Sequence, residues 1–250
     1  MGVDSGLPDF RGNDGFWHAY PALGKAGISF YDIANPQAFQ FNPERAWGFY
    51  GHRLNLYRET TPHEGFDILM QIGKNKLAGT FVYTSNVDCH FQKVGFTSDQ
   101  ILECHGSIHQ LQCLEGCSRD IWSADEFKPE VDLDNCRLTS ELPTCPHCGA
   151  LARPNILMFG DWGWIDRRAN LQAEAFVKWR RGVDKLVAIE IGAGTTIPSV
   201  RDFCSTLTCP VIRINIREPA LGSTSGVSIP AGGLQSLKGI AKVLGFINKY

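Results

Sequence analysis

Short apolar segments alternate with longer stretches of helical periodicity along most of this chain of 250 residues. Because strands buried on both faces of a sheet are apolar throughout, the apolar segments predict buried strands at Thr80–Thr84, Asn155–Phe159, Leu186–Ile191 and Val211–Asn215. The periodic stretches predict helices at Asp166–Arg181, from about Pro198 to Leu207, and from Leu234 to Phe246. Strands that alternate with helices are typical of the α/β class with a doubly wound, parallel, Rossmann-like sheet, whose ligands bind beyond the carboxyl ends of the strands.

Two regions interrupt this alternation. The first, Asp14–Arg58, is rich in aromatic residues and is predicted to be helical. The second, His109–Arg153, carries two pairs of cysteines and little regular periodicity, which indicates a small module inserted into the sheet domain. We therefore predict a sheet domain formed by residues 1–108 and 154–250, which includes a helical lobe at about 14–58. One module, residues 109–153, is inserted into this domain.

One helix of the lobe has a clear start. Asn42 followed by Pro43 predicts an amino-terminal cap and first turn, and the helix is predicted to run to about Arg58. Helical spacing places two adjoining apolar stripes on it, one formed by Trp47, Tyr50, Leu54 and Tyr57, the other by Ala46, Phe49 and Leu56. Arg53 interrupts the second stripe and neighbours Tyr50 on the helix surface. Such an arginine either meets an anion, reaches solvent or pairs with a nearby acid.

Composition and charge exclude several classes of protein. The formal net charge of −2 does not fit a polybasic nucleic-acid binder. No apolar run approaches the roughly 18 residues that a membrane span needs, and the amino terminus lacks the pattern of a signal peptide. The nine cysteines, an odd number at irregular spacing, argue against a secreted disulfide framework. We therefore expect the protein in the cytoplasm, without a membrane or nucleic-acid partner.

Four of the cysteines have the spacing of a zinc site. Cys113 and Cys117 are separated by three residues, and Cys145 and Cys148 by two. Thiolates at these separations can close on one tetrahedral Zn²⁺, and four protein ligands make such a site structural. Cys136 and His147 are possible substitute ligands, and four unrelated buried thiols are the alternative.

Candidate polar and glycine groups follow predicted strands. Asn86 and Asp88 come just after a buried strand, where side chains face the ligand crevice, although an Asx turn is the plainer explanation. Gly192-Ala193-Gly194 lies between a strand and a helix, where backbone amides can approach a phosphate or simply form a tight turn. His105, on a short turn before the cysteine module, is a candidate near-neutral base, a structural histidine or a metal ligand with Cys113.

These segments follow the order of the sirtuin motifs. GVDSGLPDFRG resembles the NAD-binding loop of that family, TSNVD its TQNID segment, and ECHGS its glutamate-leucine-histidine-glycine-serine motif. After the cysteine pairs, ARPNILMFGD resembles its arginine-proline and phenylalanine-glycine-glutamate stretch. IGAGTT stands in the position of its glycine-threonine-serine loop, and VIRIN in that of a later isoleucine-asparagine strand end. The sequence therefore resembles the sirtuins over nearly its whole length.

The resemblance implies an NAD-dependent protein-lysine deacylase, which transfers the acyl group of a protein or peptide substrate to ADP-ribose and releases nicotinamide. It implies that His105 deprotonates a ribose hydroxyl, that Asp88 holds the nicotinamide carboxamide and that Asn86 orients the ribose or a water molecule. Phe10 would shield the reactive carbon from water, and Arg11 would meet phosphate or ribose oxygens. The implied NAD-binding set is Asp9, Phe10, Arg11, Ser85, Asn86, Asp88, Gly192, Ala193, Gly194 and Asn215.

A further likeness concerns the acyl group. NPERAWGFYGHR resembles the sirtuins that remove succinyl, malonyl and glutaryl groups, in which a Tyr-x-x-Arg pair binds the distal carboxylate. The resemblance therefore implies that Tyr50 and Arg53 bind an acidic acyl chain. A core tyrosine beside an arginine that reaches solvent or pairs with an acid is the alternative.

The sequence also departs from the family. Ser85 stands in place of glutamine, Cys89 of glycine, Cys104 of leucine and Asp161 of glutamate. The glycine-alanine-glycine that precedes the first loop in sirtuins is absent, so the resemblance implies an N-terminally truncated chain that lacks a central strand. An ADP-ribosyltransferase or NAD hydrolase that uses the same pocket, and a non-catalytic zinc- or NAD-binding module, are the alternative functions.

Overall fold

The computed structural model describes residues 1–9 and 12–246. In these residues the strands are β1 Val82–Thr84, β2 Ile101–Glu103, β3 Gly106–Cys113, β4 Ile121–Ser123, β5 Val131–Asp132, β6 Arg137–Leu138, β7 Ala152–Ile156, β8 Ala188–Ile191, β9 Val211–Ile214 and β10 Gly226–Ile229. The α-helices are α1 Gly12–Ala19, α2 Pro21–Lys25, α3 Phe30–Ile33, α4 Pro36–Phe41, α5 Pro43–Glu59, α6 Gly65–Lys74, α7 His90–Lys93, α8 Arg167–Arg181, α9 Ser199–Thr206 and α10 Gly233–Val243. Gly2–Ser5 and Ser98–Gln100 form 3-10 helices.

The parallel strands form two separate groups. Among the described residues, β1 pairs only with β2, and β9 lies between β8 and β10, with every one of these pairings parallel. Strands of this kind alternate with helices along the chain, which is the doubly wound, Rossmann-like arrangement predicted from the apolar segments. The fold-class prediction is therefore confirmed.

The segment between the two parallel groups is built differently. β3 pairs antiparallel with both β4 and β7, and β5 pairs antiparallel with β6. These short strands surround the four paired cysteines, as expected for an inserted module. The predicted boundaries of the module fall inside β3 and β7, and the division of the chain into 1–108 with 154–250 and 109–153 stays a prediction.

The helical lobe contains the larger core. Aromatic residues of α1 to α5 pack edge to face, with the Phe16, Tyr20, Phe30 and Phe49 rings 4.9 to 6.2 Å apart. Aromatic pairs prefer this geometry because the positive ring edge meets the negative face. The predicted aromatic-rich helical region is therefore a packed lobe.

α5 connects this lobe to the inserted module. It begins as predicted, with the Asn42 side chain accepting a hydrogen bond from Arg45 N (3.2 Å). A Cβ atom at Gly48 would lie 2.4 Å from the Cys136 carbonyl oxygen, and one at Gly51 would lie 2.8 Å from Pro129 Cβ. The absence of side chains at these two positions lets the module segment lie directly on the helix.

All four strand predictions need their bounds corrected, and the strands placed at Leu186–Ile191 and Val211–Asn215 are Ala188–Ile191 and Val211–Ile214. The strand placed at Asn155–Phe159 is β7, Ala152–Ile156, and Leu157–Phe159 lie beyond its end. The strand placed at Thr80–Thr84 is shortened to Val82–Thr84. None of the described helices combines the length and apolar character that a bilayer span requires.

Candidate active site

Eight of the thirteen residues predicted to act in catalysis, cofactor binding or acyl binding line one cavity of about 1140 Å³. The residues after β1 and after β8 contribute to its walls at the predicted edge of the sheet, and the walls continue along both strands to the residues that precede them. The predicted residues on its walls are Tyr50, Arg53, Ser85, Asn86, Asp88, His105, Gly192 and Ala193. Asp9, Gly194 and Asn215 are described but lie off these walls. Phe10 and Arg11 lie outside the described residues.

The turn after β1 is held by its own side chains. Asn86 N–H donates to Thr84 Oγ1 (3.0 Å), and the Asp88 carboxylate accepts from His90 N (3.0 Å). Asp88 is buried, and one of its oxygens lies 3.9 Å from His90 Nδ1. The Asx turn considered from sequence is therefore present, and the same carboxylate also faces the cavity.

His105 lies on the turn between β2 and β3. Its Nε2 is 2.9 Å from Ser199 Oγ, at the start of α9, so the histidine bridges the carboxyl ends of both parallel groups. Burial lowers the pKa of His105, and a hydrogen bond with the Ser85 backbone acts in the opposite direction. The ring is therefore neutral at pH 7 and can accept a proton.

The glycine loop after β8 is fixed at the Ala193 carbonyl. Gly192 adopts φ +65°, where a residue without Cβ is favoured, and its N–H donates to the Ile214 carbonyl (2.9 Å). The Ala193 carbonyl accepts hydrogen bonds from Asn215 Nδ2 (2.8 Å) and from Arg201 Nε and Nη2 (3.0 and 2.9 Å). Asn215 therefore supports this loop from behind rather than facing the cavity.

A buried charge cluster, which the sequence analysis missed, lies under this loop. Glu190 of β8 is 1% exposed and pairs with Arg213 of β9 (2.6 Å) and more distantly with Arg201 (4.0 Å). Arg201 also donates to the Glu218 carbonyl (2.5 Å). The sequence signal was one charged residue within each of two otherwise apolar strands, Glu190 in β8 and Arg213 in β9. Farther out, Asp9 pairs with Arg217 (2.9 Å).

The other end of the cavity is formed by α5. Arg53 Nε and Nη2 donate to the Tyr57 hydroxyl (3.0 and 2.6 Å), and the guanidinium carbon lies 5.2 Å from the centre of the Phe49 ring. Tyr50 is 1% exposed and stacks on Phe39 at 5.5 Å between ring centres. Burial raises the pKa of Tyr50, and the positive charge of Arg53 opposes this rise. Both predicted acyl-binding side chains therefore adjoin the cavity, Tyr50 as a neutral phenol and Arg53 as a cation.

The four paired cysteines come together in the inserted module. The sulfur atoms of Cys113, Cys117, Cys145 and Cys148 all lie within 4.8 Å of one another. They form the one group of at least three metal-ligating side chains found in the described residues. Cys136 packs in the core beside α5, and His147 pairs with Asp120 (2.8 Å), so neither alternative ligand belongs to the group.

A buried ion pair shapes the loop beside the cavity. Arg153 Nη1 and Nη2 donate to both carboxylate oxygens of Asp161 (2.7 and 2.8 Å), and their side chains are 1% and 0% exposed. The same carboxylate accepts from Met158 N and Gly163 N. Asp161, which departs from the sirtuin glutamate, thus fixes the loop that follows β7.

Asp161→Ala is expected to lower the free energy of unfolding by about 3–5 kcal/mol, because it leaves a buried guanidinium without its carboxylate. Asp166→Ala, which removes an exposed partner of Arg119, is the control and should cost no more than about 1 kcal/mol. Urea unfolding monitored by circular dichroism measures both. Equal losses in the two variants would contradict a structural role of the Arg153–Asp161 pair.

The family model and the similar proteins that match this chain all belong to one family. The model of the Sir2 family matches residues 1–179. A protein of Pyrococcus furiosus named NAD-dependent protein deacylase is 33% identical over 161 residues, which are 64% of this chain and 58% of that relative. A protein of Aquifex aeolicus with the same name is 30% identical over 180 residues, or 71% of this chain and 66% of the relative. The matches thus span less than two thirds of either relative.

Solved structures share the fold. A Sir2 homologue in complex with NAD superimposes with a TM-score of 0.71 at 20% identity, covering 98% of this chain and 85% of that one. A mutant Sir2 homologue bound to ADP-ribose gives a TM-score of 0.69 at 21% identity, covering 99% and 90%. The arrangement of strands and helices is therefore common to this chain and to those structures.

Proposed function

This chain belongs to the Sir2 family, and on that premise we propose that it is an NAD-dependent protein-lysine deacylase. The observation that carries the proposal is the meeting of His105, Asn86, Asp88 and the Gly192 loop with α5 at one cavity. A dinucleotide site, a proton acceptor and an acyl-binding wall are the three parts that such a reaction needs. The relatives from Pyrococcus furiosus and Aquifex aeolicus carry the name of this activity.

The residues present suit NAD⁺. The glycine loop after β8 leads to α9, whose first turn has no side-chain cap, so its backbone N–H groups suit a phosphate. Asp88 offers a carboxylate to a carboxamide, and Asn86 an amide to the ribose. When bound, NAD⁺ supplies an electrophilic ribose carbon with nicotinamide as leaving group. Asp9, Phe10, Arg11, Ser85, Gly194 and Asn215 remain proposed as parts of the binding region, with Asn215 acting through the Ala193 carbonyl.

His105 is the proposed general base. Its Nε2 accepts a proton from a ribose hydroxyl, which takes the place of the Ser199 hydroxyl as hydrogen-bond partner. Because burial lowers its pKa, the imidazole starts in the neutral form that this step requires. The apolar part of the cavity keeps bulk water from competing with the acyl oxygen.

Nicotinamide release tests the proposal against its alternatives. The purified protein is incubated with NAD⁺, with and without an acyl-lysine peptide, and free nicotinamide is measured. Release that depends on the peptide and matches its deacylation supports the proposal. Release without the peptide indicates an NAD hydrolase, and absence of release indicates a binding module; either result overturns the proposal.

The acyl preference follows from α5. Arg53 and Tyr50 both line the cavity, and the Arg53 guanidinium donates from Nε and Nη2 to the Tyr57 hydroxyl. A terminal carboxylate can meet the planar guanidinium in fork geometry by taking the place of that hydroxyl or by accepting from the remaining N–H groups. An acetyl group has no anion to offer. We therefore propose that succinyl- or malonyl-lysine is preferred to acetyl-lysine.

Arg53→Met is expected to lower kcat/KM for a succinyl peptide by roughly 10- to 160-fold, since a charge-assisted hydrogen bond contributes about 1.5–3 kcal/mol. The acetyl peptide should be unaffected or improved. Arg53→Lys keeps the charge but loses the fork geometry, so its kcat/KM for the succinyl peptide should lie between those of the wild type and Arg53→Met. Tyr50→Phe should lose only the contribution of the hydroxyl group to this kcat/KM. If the wild type favours acetyl, or if Arg53→Met slows both peptides equally, the acidic-acyl proposal is wrong.

The four-cysteine group is the proposed zinc site. Its donor set of four thiolates, with sulfurs at mutual distances that one tetrahedral ion can bridge, fits Zn²⁺. Because all four positions are filled by protein, the metal holds the module together and leaves no coordination position for chemistry.

A further inference from the structure

A second tyrosine follows Arg53 on α5. Tyr57 lies four residues after Arg53, and Tyr50 lies three residues before it, so the three side chains share one face of the helix. All three line the cavity. The Tyr-x-x-Arg pair used in the acyl proposal is therefore extended by one more helical turn in this chain.

The Tyr57 hydroxyl is held by the guanidinium. Arg53 Nε and Nη2 both donate to it (3.0 and 2.6 Å), and the guanidinium carbon lies 5.3 Å from the centre of the Tyr57 ring. A phenol oxygen can accept and donate hydrogen bonds at the same time. Within the part of the chain that the structure describes, however, this hydroxyl only accepts. Its own hydrogen still requires an acceptor, and the positive charge of Arg53 directs that hydrogen away from the guanidinium.

Tyr57 keeps this hydrogen at neutral pH. The residue is 4% exposed. Burial raises the pKa of Tyr57, the positive charge of Arg53 opposes this rise, and the negative charge of Asp88 adds to it. The side chain is therefore a neutral phenol, and a hydroxyl that accepts hydrogen bonds from a cation is polarised into a stronger donor. A carboxylate forms the strongest hydrogen bond with such a donor.

Contacts on the other side of α5 fix the position of Tyr57. Its ring packs edge to face on the His90 ring, with 6.3 Å between the ring centres. Its carbonyl accepts a hydrogen bond from Lys93 Nζ (2.6 Å), which also donates to the carbonyls of Arg58 and Thr60 (2.8 and 2.9 Å). These bonds join the last turn of α5 to α7. The hydroxyl is therefore held in place before any ligand binds.

We propose that Tyr57 is a third residue that binds the terminal carboxylate of an acidic acyl chain. Its hydroxyl donates to a carboxylate oxygen, and the same hydroxyl holds the Arg53 guanidinium in the orientation that meets the carboxylate. Arg53 thus keeps Tyr57 as a partner when the acyl chain binds. An acetyl group has no terminal carboxylate, so it gains nothing from Tyr57. This inference rests on the acidic-acyl preference proposed above.

Peptide binding in the absence of NAD⁺, measured by calorimetry, tests the proposal without relying on turnover. Tyr57→Phe keeps the ring and removes only the hydroxyl, so the Kd for a succinyl-lysine peptide should rise about tenfold or more, the effect of one charge-assisted hydrogen bond. The Kd for the matching acetyl-lysine peptide should stay within about twofold. Tyr31→Phe is the control, because Tyr31 packs on Phe159 but lies off the cavity walls. It should leave both Kd values unchanged.

A double variant separates donation by Tyr57 from an effect exerted only through Arg53. In the background of Arg53→Met, Tyr57→Phe should still raise the Kd for the succinyl peptide by about threefold or more, the effect of an ordinary hydrogen bond. If the second substitution has no effect there, Tyr57 only positions Arg53 and the proposed donation is wrong.

Three further results would overturn the proposal. Unchanged succinyl binding in Tyr57→Phe would show that the hydroxyl contributes nothing. Tighter succinyl binding would show that it competes with the carboxylate for Arg53, and equal losses for both peptides would show that Tyr57 only shapes the cavity. If Tyr57→Phe fails to fold, Tyr50→Phe labelled with 3-fluorotyrosine decides. A fluorine resonance must then shift with the succinyl peptide and not with the acetyl peptide, and the absence of such a shift would contradict the proposal.

The same measurements separate this proposal from those on which it rests. Wild-type protein that binds the acetyl peptide as tightly as the succinyl peptide would overturn the acidic-acyl preference and the role of Tyr57 together. A succinyl preference that is lost in Arg53→Met but kept in Tyr57→Phe would overturn the role of Tyr57 alone. Selective succinyl binding that depends on Tyr57, without release of nicotinamide from NAD⁺, would support the role of Tyr57 and contradict only the deacylase activity.

Discussion

His105→Ala is expected to lower the turnover of an acyl peptide by about 10²- to 10⁴-fold, the range that a positioned general base contributes. NAD⁺ binding should be largely unchanged, because the imidazole is proposed to move a proton and not to hold the dinucleotide. Steady-state kcat and calorimetric binding of NAD⁺ separate the two effects. Near-native turnover of the variant would exclude His105 as the base.

Ser199→Ala is the matched control. It removes the hydroxyl that contacts His105 Nε2 and leaves the imidazole in place, so turnover should be retained. The pH profile adds a second check. The base acts in its neutral form, and burial lowers its pKa, so activity should be lost only as the pH falls through a value below about 6.5, the ordinary histidine value. Residual activity of His105→Ala should lack this acid limb.

Loss of one cysteine of the metal group is expected to have the largest effect on stability. Wild-type protein should contain one zinc per chain, and Cys145→Ala should retain none and lose the fold of the module. Structural zinc contributes on the order of 10 kcal/mol in small zinc-binding peptides, which is comparable to the whole stability of a domain. Elemental analysis and thermal unfolding of the purified proteins measure both quantities.

Cys204→Ala is the control for this prediction. Cys204 is also a buried thiol, but it lies on α9, outside the metal group, so the variant should keep its zinc and most of its stability. Wild-type protein with well under one zinc per chain, or full zinc in Cys145→Ala, would show that the four sulfurs do not form the site.

The local sequence predicted those parts of the fold in which pattern and packing agree. The cap at Asn42 and the helix α5 follow from a side-chain hydrogen bond and a rigid proline, and both are short-range. β7 was misplaced toward the following apolar residues because the strand itself contains polar ones. Arg153 and Asn155 are buried in it through partners distant in sequence, Asp161 and Gln112, which hydrophobicity does not reveal.

The candidate site shows the same limit. The spacing of the four cysteines was enough to predict that their sulfur atoms lie together. The support of the glycine loop by Arg201 could not be predicted in this way, because it depends on how α9 packs on β8. β10 escaped prediction because its four residues begin with a glycine and are mostly exposed. α6 carries a clear apolar stripe that includes Ile68, Leu69 and Ile72, and the pattern analysis did not assign it.

The contact between α5 and the metal module limits how freely either can be exchanged. Gly48 admits the backbone of the module and Gly51 the side chain of Pro129. Asn55 donates to the Pro129 carbonyl, and the Trp47 indole donates to the Ala152 carbonyl. A module of other length or sequence transplanted into this chain would leave that side of the helix uncovered or obstructed. In a chimeric protein, the inserted module and the acyl-binding helix therefore have to be transferred together, as one inherited unit.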